Sequence, residues 1–155
     1  MNPFLNSGGL FVSNQRVRFT PEGGLAVRLT NKTGSASVKG TVVAAHGSVD
    51  NAVKKIIVDV PDPIGVIYDD GIPDGYLVWV VISGRAQVLF VGNTTRGYLA
   101  RGFLTADGGS YEAGKALAEA VPGSPFASDK HFYEIGHVIE SRTGAGLAFC
   151  VLHFN

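Results

Sequence analysis

Along this chain, short β-branched or aromatic runs alternate with glycine-rich breaks, and no long stretch keeps the three-to-four-residue spacing of an amphipathic helix. Residues 25–30 (LAVRLT), 38–45 (VKGTVVAA), 52–60 (AVKKIIVDV), 64–68 (IGVIY), 76–82 (YLVWVVI), 85–91 (RAQVLFV), 135–140 (IGHVIE) and 147–154 (LAFCVLHF) predict strands. The stretch 111–121 (YEAGKALAEAV) carries the helix formers Glu112, Lys115, Leu117 and Glu119. Gly114 and an internal parallel assign it to a strand instead. The expected class is all-β.

That parallel is an internal repeat. PIGVIYDDGIPDGYLVWVVI at 63–82 lies without gaps over EIGHVIESRTGAGLAFCVLH at 134–153, placing Ile64–Gly65 on Ile135–Gly136, Asp69 on Glu140 and Gly75 on Gly146. Upstream, KGTVVAA (39–45) is similar to AGKALAE (113–119). The pattern predicts two related hairpin units within a single β domain, residues 25–155. In YLVWVVI neither face is polar, so both should be covered. One side is the domain core. The other is covered either within one closed barrel or sandwich, or by a neighbouring subunit.

Residues 1–24 are broken by Gly8–Gly9, Pro21 and Gly23–Gly24 around the apolar pieces LFV (10–12) and VRF (17–19), and read as an extended arm. Such an arm can add a strand to a sheet edge, which makes Phe11, Val12, Arg16 and Arg18 candidates for contact with a partner. Trp79 and Phe149, the large aromatics of the two apolar runs, are candidate core or subunit-interface anchors.

Composition sharpens this picture. The 155 residues suffice for one core without metal or disulfide staples. Charged residues make up only 17% of the chain, below the usual quarter, which points to surface covered by copies or partners. The formal net charge of zero argues against a dedicated nucleic-acid binder. The first 35 residues nevertheless carry a net +3 and the rest −3. Cys150 stands alone in an apolar run, so no intrachain disulfide is expected. The opening residues lack a secretory pattern and no apolar run reaches membrane-spanning length, so synthesis in a cytoplasm and no membrane contact are expected.

Candidate chemistry is sparse. There is no nucleophile elbow, phosphate loop, HExxH or CxxC. Asp69, Asp70 and Asp74 offer hard oxygens for calcium, but Pro73 and the missing DxDxDG spacing favour a solvated loop. His137 and His153 lie on the C-terminal hairpin, where a turn near Gly144 offsets them by several residues. No metal site, cofactor or catalytic residue is expected. TTRGYLARGF (94–103) interleaves Arg96 and Arg101 with Tyr98 and Phe103, but the acidic body favours a loop and strand over a nucleic-acid platform.

RLTNKTGSASVKGTVV (28–43), IGVIYDDGIPDGYLVWVVISGRAQVL (64–89) and HFYEIGHVIESRTGAGLAFCVLHFN (131–155) together resemble the head decoration proteins of tailed phages. The resemblance covers most of the chain from about residue 25 onward, though not 105–128. It implies a small β-barrel or β-tulip-like body, commonly a homotrimer, seated on the outer face of a virion capsid and bracing the major capsid protein. A receptor- or glycan-binding module of a head fibre or tail, using Tyr68, Tyr76 and Trp79, is the alternative. A small metal-dependent hydrolase using Asp69, Asp74 and histidines is a further rival.

Overall fold

The computed structural model describes residues 15–109, 111–121 and 128–154. Its strands are β1 (Val17–Phe19), β2 (Gly24–Asn31), β3 (Val42–Ala45), β4 (Ala52–Lys55), β5 (Gly65–Ile67), β6 (Leu77–Phe90), β7 (Leu99–Arg101), β8 (Leu117–Glu119), β9 (Glu134–Val138) and β10 (Gly146–Leu152). A 3-10 turn at Thr105–Asp107 and one helical turn, α1 (Ser128–His131), interrupt the second half. The class is all-β, as the glycine-punctuated pattern predicts.

The strands form one sheet in the order β1-β2-β4-β3-β5-β6-β10-β9-β7-β8, and an additional pairing between β2 and β6 closes five strands into a ring. In that ring β2 runs parallel to β4 and antiparallel to β6. The second half repeats the connectivity. The part of β6 beyond Gly84 pairs antiparallel with β10, then come β9, β7 and β8. A parallel bridge between Phe90 and Ala116 brings the chain back to β6. The body is therefore two small barrels of identical strand connectivity, fused through one long shared strand.

Their equivalence extends to individual hydrogen bonds. The Gly40 N–H donates to the Ile67 carbonyl and the Gly97 N–H to the Val138 carbonyl, each at 2.8 Å. The Trp79 N–H donates to Asp69 Oδ2 at 2.9 Å, and the Phe149 N–H to Glu140 Oε1 at 3.0 Å. The hydroxyls of Ser37 and Thr94 donate to the carbonyls of Asp69 and Glu140 at 2.7 and 2.8 Å. These pairs make Trp79 and Phe149 structural counterparts. They also correct the upstream parallel: KGTVVAA matches RGYLARG (96–102), whereas AGKALAE (113–119) is β8 and its approach.

Two further departures have local causes. The strands expected at 76–82 and 85–91 are one, because the chain runs on through a bulge at Ile82 instead of turning at Ser83–Gly84. Register shifts there between Leu25 and Ala26, and Gly84 (φ 83°) lies opposite Gly24, where a Cβ would strike the Gly23 carbonyl. Residues 17–19, within the stretch read as an arm, pair with Leu25–Val27 as an edge strand.

Alternation sorts the apolar residues into two clusters. Val43, Val53, Ile67, Val78 and Val80 fill the first barrel with Leu29, Ile64, Ile72 and Ile82. Their neighbours Val42, Val66 and Val81 point the other way, into a cluster continuous with Ala86, Val88, Phe90, Ala100, Ala116, Val138, Ala148 and Cys150 of the second barrel. Each such side chain taken from water contributes about 1.5–3 kcal/mol before entropy is counted. The two-sided apolarity of YLVWVVI is thus satisfied largely within the chain, the first of the two alternatives that the sequence left open.

Candidate functional site

β1 lies at one end of the strand order, so its outer edge carries main-chain groups that no further strand of the sheet pairs. Alternation along Val17, Arg18 and Phe19 turns the two apolar side chains outward, with Phe19 80% and Val17 50% exposed. Arg18 points the other way, across the first barrel, and is half-buried. Its guanidinium sits 4.8 Å from the ring centre of Trp79 and 5.3 Å from that of Tyr68. Arg18 Nε is buried with no acceptor among the described residues. Arg16 is exposed, and its carbonyl accepts the Arg28 N–H at 3.0 Å. Phe11 and Val12 lie outside the described residues.

From Trp79 a strip of cations and rings continues over both barrels. Arg28 lies 5.6 Å from the Trp79 ring centre, and Lys39 lies 4.3 Å from that of Tyr68. Glu22 ties the strip together, accepting from the Tyr68 hydroxyl at 2.9 Å, from Lys39 Nζ at 3.2 Å and, through its carbonyl, from Arg85 Nη1 at 3.2 Å. Arg85 in turn stacks on Phe149 with its guanidinium carbon 3.7 Å from the ring centre. Burial raises the Glu22 carboxyl, but the hydrogen bonds from Tyr68 and Lys39 outweigh it and hold the group below its usual value. Burial, then the hydrogen bond to Glu22, pushes the Tyr68 hydroxyl up.

Arg18, Trp79 and Phe149 are therefore brought onto one strip rather than scattered. Arg28, Lys39 and Arg85 joined them unannounced, because they lie far apart in sequence and the strand register alone makes them neighbours. The exposed Phe19 was legible in the alternation of VRF. Four cations, Arg18, Arg28, Lys39 and Arg85, are interleaved here with the carboxylates of Glu22, Asp69 and Asp70, so the strip presents both charges. The acidic loop, weighed above against calcium, spends its carboxylates on the chain itself: Asp74 accepts from the Gly34 N–H and Lys32 Nζ, and Asp70 from the Lys39 N–H.

His137 and His153 correct the expected offset. Val151 pairs with His137, so His153 is its diagonal neighbour, and Nδ1 of His137 and Nε2 of His153 lie 2.6 Å apart. Diagonal pairs remain within reach of ring side chains. Cys150 is buried, and burial, reinforced by Glu140, pushes its thiol up to about 12. No helix among the described residues is long and apolar enough to cross a membrane.

No known family profile and no curated protein matches the sequence. Among solved structures, the chain is similar to the head fiber gp8.5 N base of bacteriophage phi29, with a TM-score of 0.53 at 14% identity, over 83% of this chain and 92% of that one. At that identity the likeness is one of fold.

Proposed function

We propose that this chain is a non-catalytic structural component of a phage head. It sits on the outer surface of the capsid and contacts the major capsid protein through the β1 edge and the adjoining cation–aromatic strip. The carrying observation is the fold shared with a head fibre base over nearly the full length of both chains. The exposed Phe19 and the charged groups of the strip supply the chemistry that docking needs, an apolar anchor with a polar, charged rim. Grouping of copies as a homotrimer follows the resemblance to decoration proteins, and lattice symmetry multiplies modest contacts through avidity.

Co-sedimentation with expanded heads of the encoding phage tests the reading. The full chain should pellet with the shells, and Phe19→Asp should lower occupancy at least about tenfold, the effect of losing an interface anchor, without changing the circular dichroism. A parent chain that stays in the supernatant would refute head attachment. Removing residues 1–14 takes away none of the described strands, so weaker binding by that variant assigns a role to the arm, whereas unchanged binding removes it. Sedimentation velocity should give three times the 16.3 kDa chain mass if the trimer holds.

The name of the structural neighbour also favours a second reading, in which the chain is itself a receptor- or glycan-binding part of a head fibre. Binding of the isolated chain to host-surface glycans, lost in Tyr76→Ala but retained in Phe19→Asp, would favour that reading over capsid docking.

A further inference from the structure

The second barrel gathers three of the four histidines around a carboxylate at its open end. Glu134 and His137 are three apart on β9, a spacing that strict alternation would put on opposite faces. The pairing of β7 with β9 slips between Ala100 and Arg101, which adds one residue to β9 at Ile135 and turns both side chains to one side. Gly136 between them has φ 157°, and a Cβ there would strike the Val151 carbonyl. The missing side chain lets β10 approach and deliver His153, whose N–H donates to the Ile135 carbonyl at 3.0 Å.

Beyond the 2.6 Å contact of the two rings, which stack at 29°, His153 Nδ1 lies 3.0 Å from Glu134 Oε1 and His131 Nδ1 lies 3.2 Å from Glu134 Oε2. One donor atom each from Glu134, His137 and His153 falls within 4.8 Å of the other two. The Glu134 side chain is 9% exposed and that of His153 46%, so a buried carboxylate backs imidazoles that solvent can reach.

We propose that Glu134, His137 and His153 form a binding site for a divalent transition-metal ion, with zinc the best fit. Two imidazoles and one carboxylate are a zinc donor set, whereas magnesium and calcium prefer oxygen alone. Two ligand atoms on one tetrahedral zinc stand about 3.3 Å apart, so the ring nitrogens part by less than an ångström while the carboxylate swings in. His131, already on the second carboxylate oxygen, orients that group as an outer partner. The equivalent positions of the first barrel are Pro63, Val66 and Ser83, none a usual zinc ligand, so the cluster is not a by-product of the barrel geometry. This departs from the expectation of no metal site. The ion would clamp the last strand to β9 and leave a fourth position for water or a donor from another chain.

Isothermal titration of the chelator-stripped full chain with zinc sulfate should show one ion per chain, with no comparable binding of magnesium. His153→Ala, at a half-exposed position, and His137→Ala should each weaken zinc binding by at least about tenfold, while His46→Ala leaves it unchanged. Cobalt substitution should give the visible absorption of a four-coordinate site in the parent and not in His153→Ala. Absence of stoichiometric uptake, or equal affinity in parent and His153→Ala, would overturn the site. A clean chelator-stripped far-ultraviolet spectrum for each variant separates ligand loss from misfolding.

Discussion

The first barrel is lined by Val43, Val53, Ile67, Val78 and Val80, and the matching positions of the second hold Ala100, Ala116, Val138, Ala148 and Cys150. Every counterpart is smaller. Asn31, which closes the first barrel by donating through Nδ2 to the Ser35 and Ile72 carbonyls at 3.0 and 2.9 Å, is replaced by the fully buried Phe90. One backbone plan is thus filled in two ways, evenly in the first barrel and around a single ring in the second. Polar groups follow the same division. Ala44 of the first barrel has as its counterpart Arg101, 1% exposed, which donates to Asp107 through both Nη atoms, to Glu119 through Nε and to the Gly102 carbonyl. The extended connection 102–116 and α1 supply Asp107 and Lys130, so the elements added to the second barrel bring its charges. The docking strip rests mostly on the plainer first barrel, and the concentrated ionisable chemistry on the second.

Arg101→Met breaks this contrast most severely. It strands Asp107 and Glu119 beside one remaining cation, Lys130, and should cost about 3–5 kcal/mol in urea denaturation, the range for removing one partner of a buried pair. Ala44→Ser, at the matching position, should cost far less. Hydrogen bonds from Arg101 hold the Asp107 carboxyl low; for Glu119 burial raises the value, but Arg101 and Lys130 outweigh it. Carboxyls depressed in the folded state make the unfolded chain bind more protons between the two sets of values. Their contribution is therefore complete above the ordinary carboxylate range, about pH 4, and lost as pH falls through the depressed values. The parent should lose stability steeply on acidification there, and Arg101→Met should show a flatter acid limb. An equally steep limb in the variant would place the acid sensitivity elsewhere.

The duplication itself was only half visible in the sequence. The hairpins β5–β6 and β9–β10 share Ile-Gly, an acidic residue after the first strand and an apolar return, and their connections differ by a single residue, so a gapless offset revealed them while setting the return strand one position off. The other strands were hidden by shrinkage and insertion. Val42–Val43–Ala44 corresponds to Leu99–Ala100–Arg101, a match in which alanine replaces valine and a buried arginine stands for alanine. The longer connections around β8 then shift the register, so AGKALAE, with Gly114 in the right kind of conformation, offered a false partner for Gly40. The strip met the same limit. Arg18 and Trp79 were singled out on chemical type, but only the pairing of β2 with β6 sets Arg28 beside Trp79, and only the pairing of β6 with β10 sets Arg85 diagonally across from Phe149.

A smaller effect should be shared equally. Asp69 and Glu140 cap the N–H groups of Trp79 and Phe149 in the same way, so Asp69→Ala and Glu140→Ala should each cost about 1.5–3 kcal/mol, the range for a hydrogen bond to a charged group. Matching values from denaturant titration would establish the carboxylate as part of the duplicated plan. A large loss in one and none in the other would mean that the two barrels use the contact differently.

The smallest perturbation tests which barrel opens first. Cys150 and Val80 are counterparts, so the native thiol can be compared with one moved to the first barrel by Val80→Cys in a Cys150→Ala background, a change of about 1 kcal/mol per site. Burial pushes the Cys150 thiol up to about 12, so near pH 8 the closed state holds almost no thiolate, and alkylation reports opening. The first ring is closed along two β2–β4 residue pairs, Thr30 with Ala52 and Asn31 with Val53. The second is closed by the single Phe90–Ala116 bridge over a core of smaller side chains. Opening the second barrel should therefore cost less, and the native thiol should be labelled several-fold faster than the relocated one. Equal rates would mean that the shared strand β6 makes the two barrels one cooperative unit, and faster labelling at position 80 would reverse the order of stability argued from their linings.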